Sequence, residues 1–207
     1  MINLRGVSIY KKNNLILNNV SENLKGKVVI VGLNNSGKTQ FIEALCGKAK
    51  IETGVIELNE EFVIKNEINK NNNGFVYVPK NYNRFLESLK VKDIRKFFVK
   101  KEKEYTAIIR EGDISEETKF SQLSYIQKLI LFIDIGLKQE KKIFIFDEPC
   151  LNLDVDEKAI FQKIISSYLT NFTIISTSNN PYEDVFRKFD RMLFIHQKKL
   201  QEKSPYL

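Results

Sequence analysis

Cysteine is scarce in this chain, with only Cys46 and Cys150 among 207 residues. Two are too few for a disulfide framework, and they lack the spacing of metal ligands, so both read as single buried or half-buried thiols. The lone histidine, His196, falls in an apolar strand pattern and reads as a structural or surface residue. Long apolar runs are missing as well. None approaches the roughly 20 residues needed to cross a bilayer, and no stretch resembles a secretory signal. A soluble, cytosolic protein is expected. No internal repeat is present, which sets aside solenoid and propeller architectures.

What the chain does have is a globular balance, 43% hydrophobic and 29% charged. Its length suits one α/β domain with a full core and a small inserted subdomain. The net charge of +7 invites an acidic partner, and Lys96, Lys100, Lys101 and Lys103 cluster. Glu102 and Glu104 interrupt that cluster and the other lysines are scattered, so a solvated lysine-rich surface is the expectation and nucleic acid an unlikely partner. An anionic membrane surface is also compatible with this charge.

Gly32-Leu33-Asn34-Asn35-Ser36-Gly37-Lys38-Thr39 fits G-x-x-x-x-G-K-[ST], the phosphate-binding P-loop, at every fixed position. Val28-Val29-Ile30-Val31 precedes it as a continuous apolar run of the kind that forms a strand buried on both faces of a parallel sheet. Phe41, Ile42 and Leu45 follow on one helical face, and Gly47 offers a stop. The motif therefore lies between strand and helix, where backbone N–H groups and the helix N-terminus can wrap phosphates. Gly32, Asn34, Asn35, Ser36, Gly37, Lys38, Thr39 and Gln40 are the candidate nucleotide-binding residues. In this arrangement Lys38 neutralises β- and γ-phosphate oxygens and the Thr39 hydroxyl ligates Mg²⁺.

The remaining elements follow in order. Val7-Ser8-Ile9-Tyr10 and Leu15-Ile16-Leu17 flank Lys11 to Asn14 as an antiparallel hairpin. Gly54 to Leu58 is a β-rich segment, Asn66 to Gly74 an asparagine-rich loop, and Phe75 to Val78 a strand ending at Pro79. Residues 80 to 119 turn helical, with Val91, Ile94, Phe97 and Phe98 on one face. Leu123 to Leu137 is apolar on almost all sides and predicts a buried helix. Strands are expected at Ile143 to Phe146, Phe172 to Ile175 and Met192 to Ile195. A helix with Val155, Ala159, Ile160, Ile164 and Tyr168 on its apolar face separates the first two, and Asn180-Pro181 would open a short helix from Tyr182 to Phe189. Alternating strands and helices argue a mostly parallel, doubly wound sheet.

The strand Ile143 to Phe146 delivers Asp147-Glu148-Pro149 at its carboxyl end, where open α/β sheets place their ligands. Asp147 suits a Mg²⁺ shell, as a Walker B aspartate does. Glu148 suits the catalytic base that orients or deprotonates an attacking water.

With both motifs in place, the whole chain resembles the nucleotide-binding subunit of an ATP-binding cassette (ABC) protein. Tyr10 lies where that family places an aromatic ring that stacks on adenine. Val78-Pro79-Lys80 occupies the place of the Q-loop, and Leu123-Ser124-Tyr125-Ile126-Gln127 that of the LSGGQ signature. Leu151-Asn152-Leu153-Asp154 resembles the D-loop, and Ser178 stands where a switch histidine is usual. The resemblance implies a P-loop NTPase core (residues 1–79 and 126–207) with an N-terminal antiparallel β piece and an inserted helical subdomain (80–125). It implies ATP and Mg²⁺ as cofactors, a second nucleotide-binding subunit and a transmembrane transporter subunit as partners, and a peripheral place on the inner face of the cell membrane.

The departures are Lys80 for the Q-loop glutamine, Tyr125 and Ile126 for the signature glycines, and Ser178 for the histidine. Tyr125 and Ile126 are expected to add bulk where a partner's phosphate would approach, while Ser124 keeps a hydroxyl donor. Slow hydrolysis follows from that expectation, because one lost preorganised donor typically costs about 10²- to 10³-fold in rate. A non-transport cassette acting as a regulatory or binding module is the alternative function. Lys38 and Asp147 stand too close in the chain for the long coiled coil of DNA-acting relatives. A small P-loop kinase or GTPase is disfavoured by the DEP triplet, the D-loop-like segment and the helical insertion.

Overall fold

Val28 and Ile30 point to one face of their strand and Val29 and Val31 to the other, and all four are buried. The same division holds for Ile143 and Ile145 against Phe144 and Phe146, so a single sheet carries an apolar core on each side. This is why its strands read as unbroken apolar runs. The computed structural model describes residues 1–59, 62–64, 74–99 and 107–202. The expected asparagine loop, except Gly74, and the Lys100 to Lys103 cluster lie outside them.

Among the described residues the main sheet has six strands: β3 (Lys27–Val31), β6 (Val76–Val78), β7 (Ile143–Phe146), β8 (Thr173–Ser178), β9 (Arg191–His196) and β10 (Lys199–Gln201). Their order is β10-β9-β3-β8-β7-β6, parallel throughout except for β10 on β9. An antiparallel sheet of order β2-β1-β4-β5 is built from β1 (Ile2–Lys11), β2 (Asn14–Leu24), β4 (Ile51–Leu58) and β5 (Phe62–Ile64). The β1–β2 hairpin is longer than its sequence pattern suggests. Its two-residue turn has Lys12 and Asn13 at φ 46° and 66°, the left-handed pair that matches strand twist.

Helix α1 (Lys38–Leu45) shares one core with the antiparallel sheet, through Phe41, Ile42 and Leu45 beside Ile9, Leu17 and Ile30. The other face of the main sheet is covered by α5 (Tyr125–Lys138) and α6 (Val155–Ser167). Between β6 and α5 lie α2 (Arg84–Glu87), α3 (Val91–Phe98), α4 (Ala107–Glu111) and a 3-10 turn at Phe120–Gln122. Their apolar residues Val91, Ile94, Ile108 and Phe120 join that same core.

Three helical expectations need correction. Phe97 does not share the buried face of α3: it is 73% exposed, and its ring meets Phe98 edge-on at 5.1 Å. The buried face of α6 is Phe161, Ile164 and Ile165, whereas Val155 is 82% exposed and Ala159 is exposed. Steps of four residues advance about 40° around a helix, so the expected row spirals off the contact by the time it reaches Val155. After Asn180, only the 3-10 helix Asp184–Lys188 forms. Asn180 Oδ1 accepts from the Tyr182 N–H at 3.0 Å, an Asx turn that takes the place of a first helical turn.

Helix α5 approaches the sheet at Gly136, where a Cβ would collide with Val76 and the Phe144 ring. Alanine normally gains about 1 kcal/mol over glycine inside a helix. Here the collision meets a β-branched side chain and a packed ring, so Gly136→Ala is expected to destabilise by about 1–3 kcal/mol in urea unfolding. A stabilised variant would contradict this packing.

Candidate active site

The chain leaves β3 at Val31 and turns through residues 32–37 into α1. Gly32 N–H donates to Ser178 O at 3.2 Å, tying the loop to β8, and Ser36 N–H closes back on Leu33 O at 3.1 Å. Two residues take left-handed conformations, Asn35 at φ 65° and Gly37 at φ 103°. Asparagine tolerates that region, but at Gly37 a Cβ would also collide with Ile16 of β2. The N-terminal hairpin thus braces the loop through Ile16, which the sequence patterns place in the hairpin but not at the loop. Gly37 caps α1 with no side-chain hydrogen bond to the first turn. Lys38, Thr39 and Gln40 of that turn line a cleft of about 390 Å³ with Asn34, Asn35, Gly37, Lys80 and Glu148. Gly32, Leu33 and Ser36 of the loop do not line it, the Ser36 hydroxyl being buried beneath Gly32.

The carboxyl end of β7 brings Asp147 and Glu148 to the same place. Asp147 Oδ2 accepts from the Thr39 hydroxyl at 3.2 Å and Oδ1 from the Thr177 hydroxyl at 2.9 Å. Thr177 Oγ1 also accepts the Glu148 N–H at 2.8 Å, so one β8 hydroxyl fixes both residues. Glu148 has φ 49°, a left-handed conformation that costs a non-glycine residue about 1–2 kcal/mol. Its carboxylate is gripped from two sides, Oε1 by Lys38 Nζ at 3.1 Å and Oε2 by Lys80 Nζ at 2.7 Å. Lys38 Nζ also donates to Gly32 O at 2.8 Å and Leu33 O at 3.0 Å.

These contacts set the charges. Burial pushes the Glu148 carboxyl up, but its hydrogen bonds to Lys80 and Lys38 outweigh that and hold it below the usual carboxylate range. Asp147 lies above its usual value, because burial outweighs the hydrogen bonds from Thr177 and Thr39. Thr39 and Asp147 present two hard oxygen donors at contact distance beside the phosphate cleft. That donor set suits Mg²⁺, which commonly takes one or two protein oxygens and completes its shell with water and phosphate. Cys150 is not part of this chemistry: it is buried, and burial raises its thiol to about 12.

The residues at the degenerate positions are placed less uniformly. Lys80 is in the cleft. Ser178 is not: its hydroxyl donates to Asn180 O at 2.9 Å and accepts the Asn180 N–H at 3.0 Å. Ser124 is exposed and caps α5, its hydroxyl accepting from the Gln127 N–H at 3.3 Å while Gln127 Oε1 accepts the Ser124 N–H at 2.9 Å. The expected bulk at the next two positions is absent. Ile126 is buried, and the Tyr125 ring turns inward beside Tyr82, centroids 6.2 Å apart. Burial raises the Tyr125 hydroxyl, with Asp147 contributing next. Both side chains start a helix whose apolar face continues through Leu129, Ile130 and Ile133, so they point into the core. Tyr10 is 45% exposed on β1, opposite Leu15, and outside the phosphate cleft. His196 ends β9 and does not line that cleft either.

A sequence profile of the ABC transporter family matches residues 17–151, spanning the P-loop, the Lys80 segment, the capped α5 and the Asp147-Glu148 pair. The chain belongs to the ABC transporter family. It is therefore an ATP-binding cassette whose family chemistry is ATP hydrolysis, and ATP-binding subunits of this family pair with one another and work with a membrane-embedded partner. The zinc import ATP-binding protein ZnuC of Ehrlichia canis is 24% identical over 99% of this chain and 84% of its own length. The solved structure of an ATP-binding subunit of an ABC transporter superposes with a TM-score of 0.83 at 18% identity, covering 99% of this chain and 89% of its own. A dimeric ATP-binding cassette bound to ADP and phosphate superposes with a TM-score of 0.75 at 17% identity, covering 99% and 98%.

Thr177 went unnoticed in the sequence because a hydroxyl in an apolar strand carries no local signal. Thr177→Val keeps the shape but strands the Glu148 N–H and one Asp147 oxygen. A loss of about 1–3 kcal/mol in urea unfolding is expected, and a neutral result would mean that Thr177 does not organise the pair.

Proposed function

We propose that this cassette binds MgATP at the cleft between the P-loop and the end of β7, and that it drives a separate transmembrane transporter subunit. One observation carries the proposal: Lys38 and Thr39 from the start of α1 and Glu148 from beyond the end of β7 line one cleft, with Asp147 bonded to Thr39 beside it. Lys38 would neutralise the phosphates, Thr39 and Asp147 would hold Mg²⁺, and Glu148 would orient the attacking water. Mg²⁺ would supply neutralisation of the charge that develops on the transferred phosphoryl group. Tyr10 would offer its half-exposed ring to the adenine.

A second copy or a sister cassette would complete the site with the N-terminus of its α5, where Ser124 stands exposed. Because Tyr125 and Ile126 fold inward, this surface is less obstructed than their size suggests. Turnover would be slow, since Ser178 is engaged with Asn180 and Lys80 holds the Glu148 carboxylate. The described helices α2, α3 and α4 would be the helical part of a single nucleotide-binding domain.

No helix among the described residues is long and apolar enough to cross a membrane. The transporter's spans would belong to the partner, and the cassette would sit peripherally on the inner face of the membrane. A groove of about 520 Å³ supports such docking, lined among others by Tyr77, Pro79, Tyr82, Leu86 and Phe98. It joins the Lys80 segment to α2 and α3, next to the nucleotide cleft. Import of a metal ion is the class suggested by the zinc-import relative.

Saturating MgATP at a hundredfold excess over Kd is expected to stabilise the protein by about 2.7 kcal/mol, read as a thermal shift. Lys38→Ala should abolish that shift, and steady-state hydrolysis by the isolated cassette should stay below about 1 s⁻¹. No shift with the wild type, or an unchanged shift with Lys38→Ala, would end the proposal.

A further inference from the structure

Lys38 has three ammonium hydrogens and three protein acceptors within 3.1 Å: Gly32 O, Leu33 O and Glu148 Oε1. For Lys38 to grip a phosphate, at least one of these bonds must be given up. The Glu148 carboxylate is the acceptor that would also repel the incoming phosphate, so it is the one to release. Released without a counter-charge, it would be an unpaired, largely buried anion facing a triphosphate, which is unfavourable on both counts.

Lys80 removes that difficulty. It follows Pro79 at the end of β6, and its ammonium sits on the other oxygen of the same carboxylate at 2.7 Å. Its side chain is 38% exposed while that of Glu148 is 9% exposed, so Lys80 reaches inward to Glu148 from the cleft wall. Its single protein ion pair is to Glu148 among the described residues. Glu148 therefore carries one cation on each carboxylate oxygen, so that one can leave for a phosphate while the other stays.

We propose that Lys80 is a positioning residue that acts through Glu148: it retains the carboxylate when the triphosphate recruits Lys38, so that one lysine serves the phosphate and the other the glutamate. On this view the lysine at position 80 is not a lost Q-loop function but a charge receiver that makes nucleotide binding and an ionised Glu148 compatible. Lys80 touches Oε2, and Oε1, freed by Lys38, is the oxygen left to face the attacking water. The proposal rests on the nucleotide reading of the cleft.

The test is a double-mutant cycle on the full chain, titrated with Mg²⁺ and a non-hydrolysable ATP analogue by calorimetry. Lys80→Met should weaken binding about tenfold, equivalent to about 1.4 kcal/mol, in the wild-type background. In the Glu148→Gln background, where no carboxylate needs a receiver, the same change should cost less than about twofold. Lys80→Arg should restore affinity to within about threefold of the wild type, and thermal melting without nucleotide should show every variant folded. Equal losses in both backgrounds would place Lys80 directly on the phosphate and overturn the proposal. No loss in either background would make Lys80 a solvent-facing lysine and overturn it as well. A wild type that binds no analogue would fail earlier, at the nucleotide reading itself.

Discussion

Lys38 is a cation 4% exposed at the start of a helix, and the surrounding fold exists in good part to give it acceptors. A buried ammonium without partners is worth several kcal/mol of instability. Two of its partners are carbonyl oxygens, available only because the P-loop doubles back on itself between β3 and α1. The third is the carboxylate of Glu148, which reaches it only because β7 and β3 lie parallel on either side of β8 and end together. Thr177 on the intervening β8 locks that geometry by bonding Asp147 and the Glu148 backbone at once. Sheet order, P-loop conformation and the left-handed backbone at Glu148 are thus one connected arrangement.

The departures from the usual cassette motifs change meaning when placed in that arrangement. Lys80 brings a second cation to the glutamate. The side chains at the signature substitutions turn into the core instead of cluttering the surface: Tyr125 lies tilted beside Tyr82, and the Tyr82 ring in turn lies flat on Phe132 at 5.5 Å. Ser124 and Gln127 cap one another at the helix start, with Ser124 exposed there. Ser178 spends its hydroxyl on a local turn with Asn180.

Strands and the P-loop were legible in the sequence because both obey strong local rules. A strand buried on two faces is an apolar run, and a phosphate loop needs its glycines and lysine at fixed spacing. Asp147 and Glu148 were legible for the same reason, as polar residues ending such a run. Helix faces were less so: in α6 several apolar residues compete for one stripe, and only the contact with the sheet chooses Phe161 over Val155. What could not be read were relations across the chain. Lys80 and Glu148 are 68 residues apart, and no pattern in either neighbourhood announces the other. Ile16 against Gly37 and Thr177 under Asp147 are of the same kind. Tyr125 was misjudged because matching positions to a motif says which residue stands there but not where its side chain points.

The central claim is that Lys38 exchanges the carboxylate of Glu148 for the phosphates of ATP. A crystal structure of the chain with Mg²⁺ and a non-hydrolysable ATP analogue tests it most directly. The account predicts Lys38 Nζ on β- and γ-phosphate oxygens, Mg²⁺ between Thr39 and Asp147, and Glu148 still bonded to Lys80. Phosphates bound away from residues 32–40, or Lys38 still bonded to Glu148 with the triphosphate in place, would contradict it.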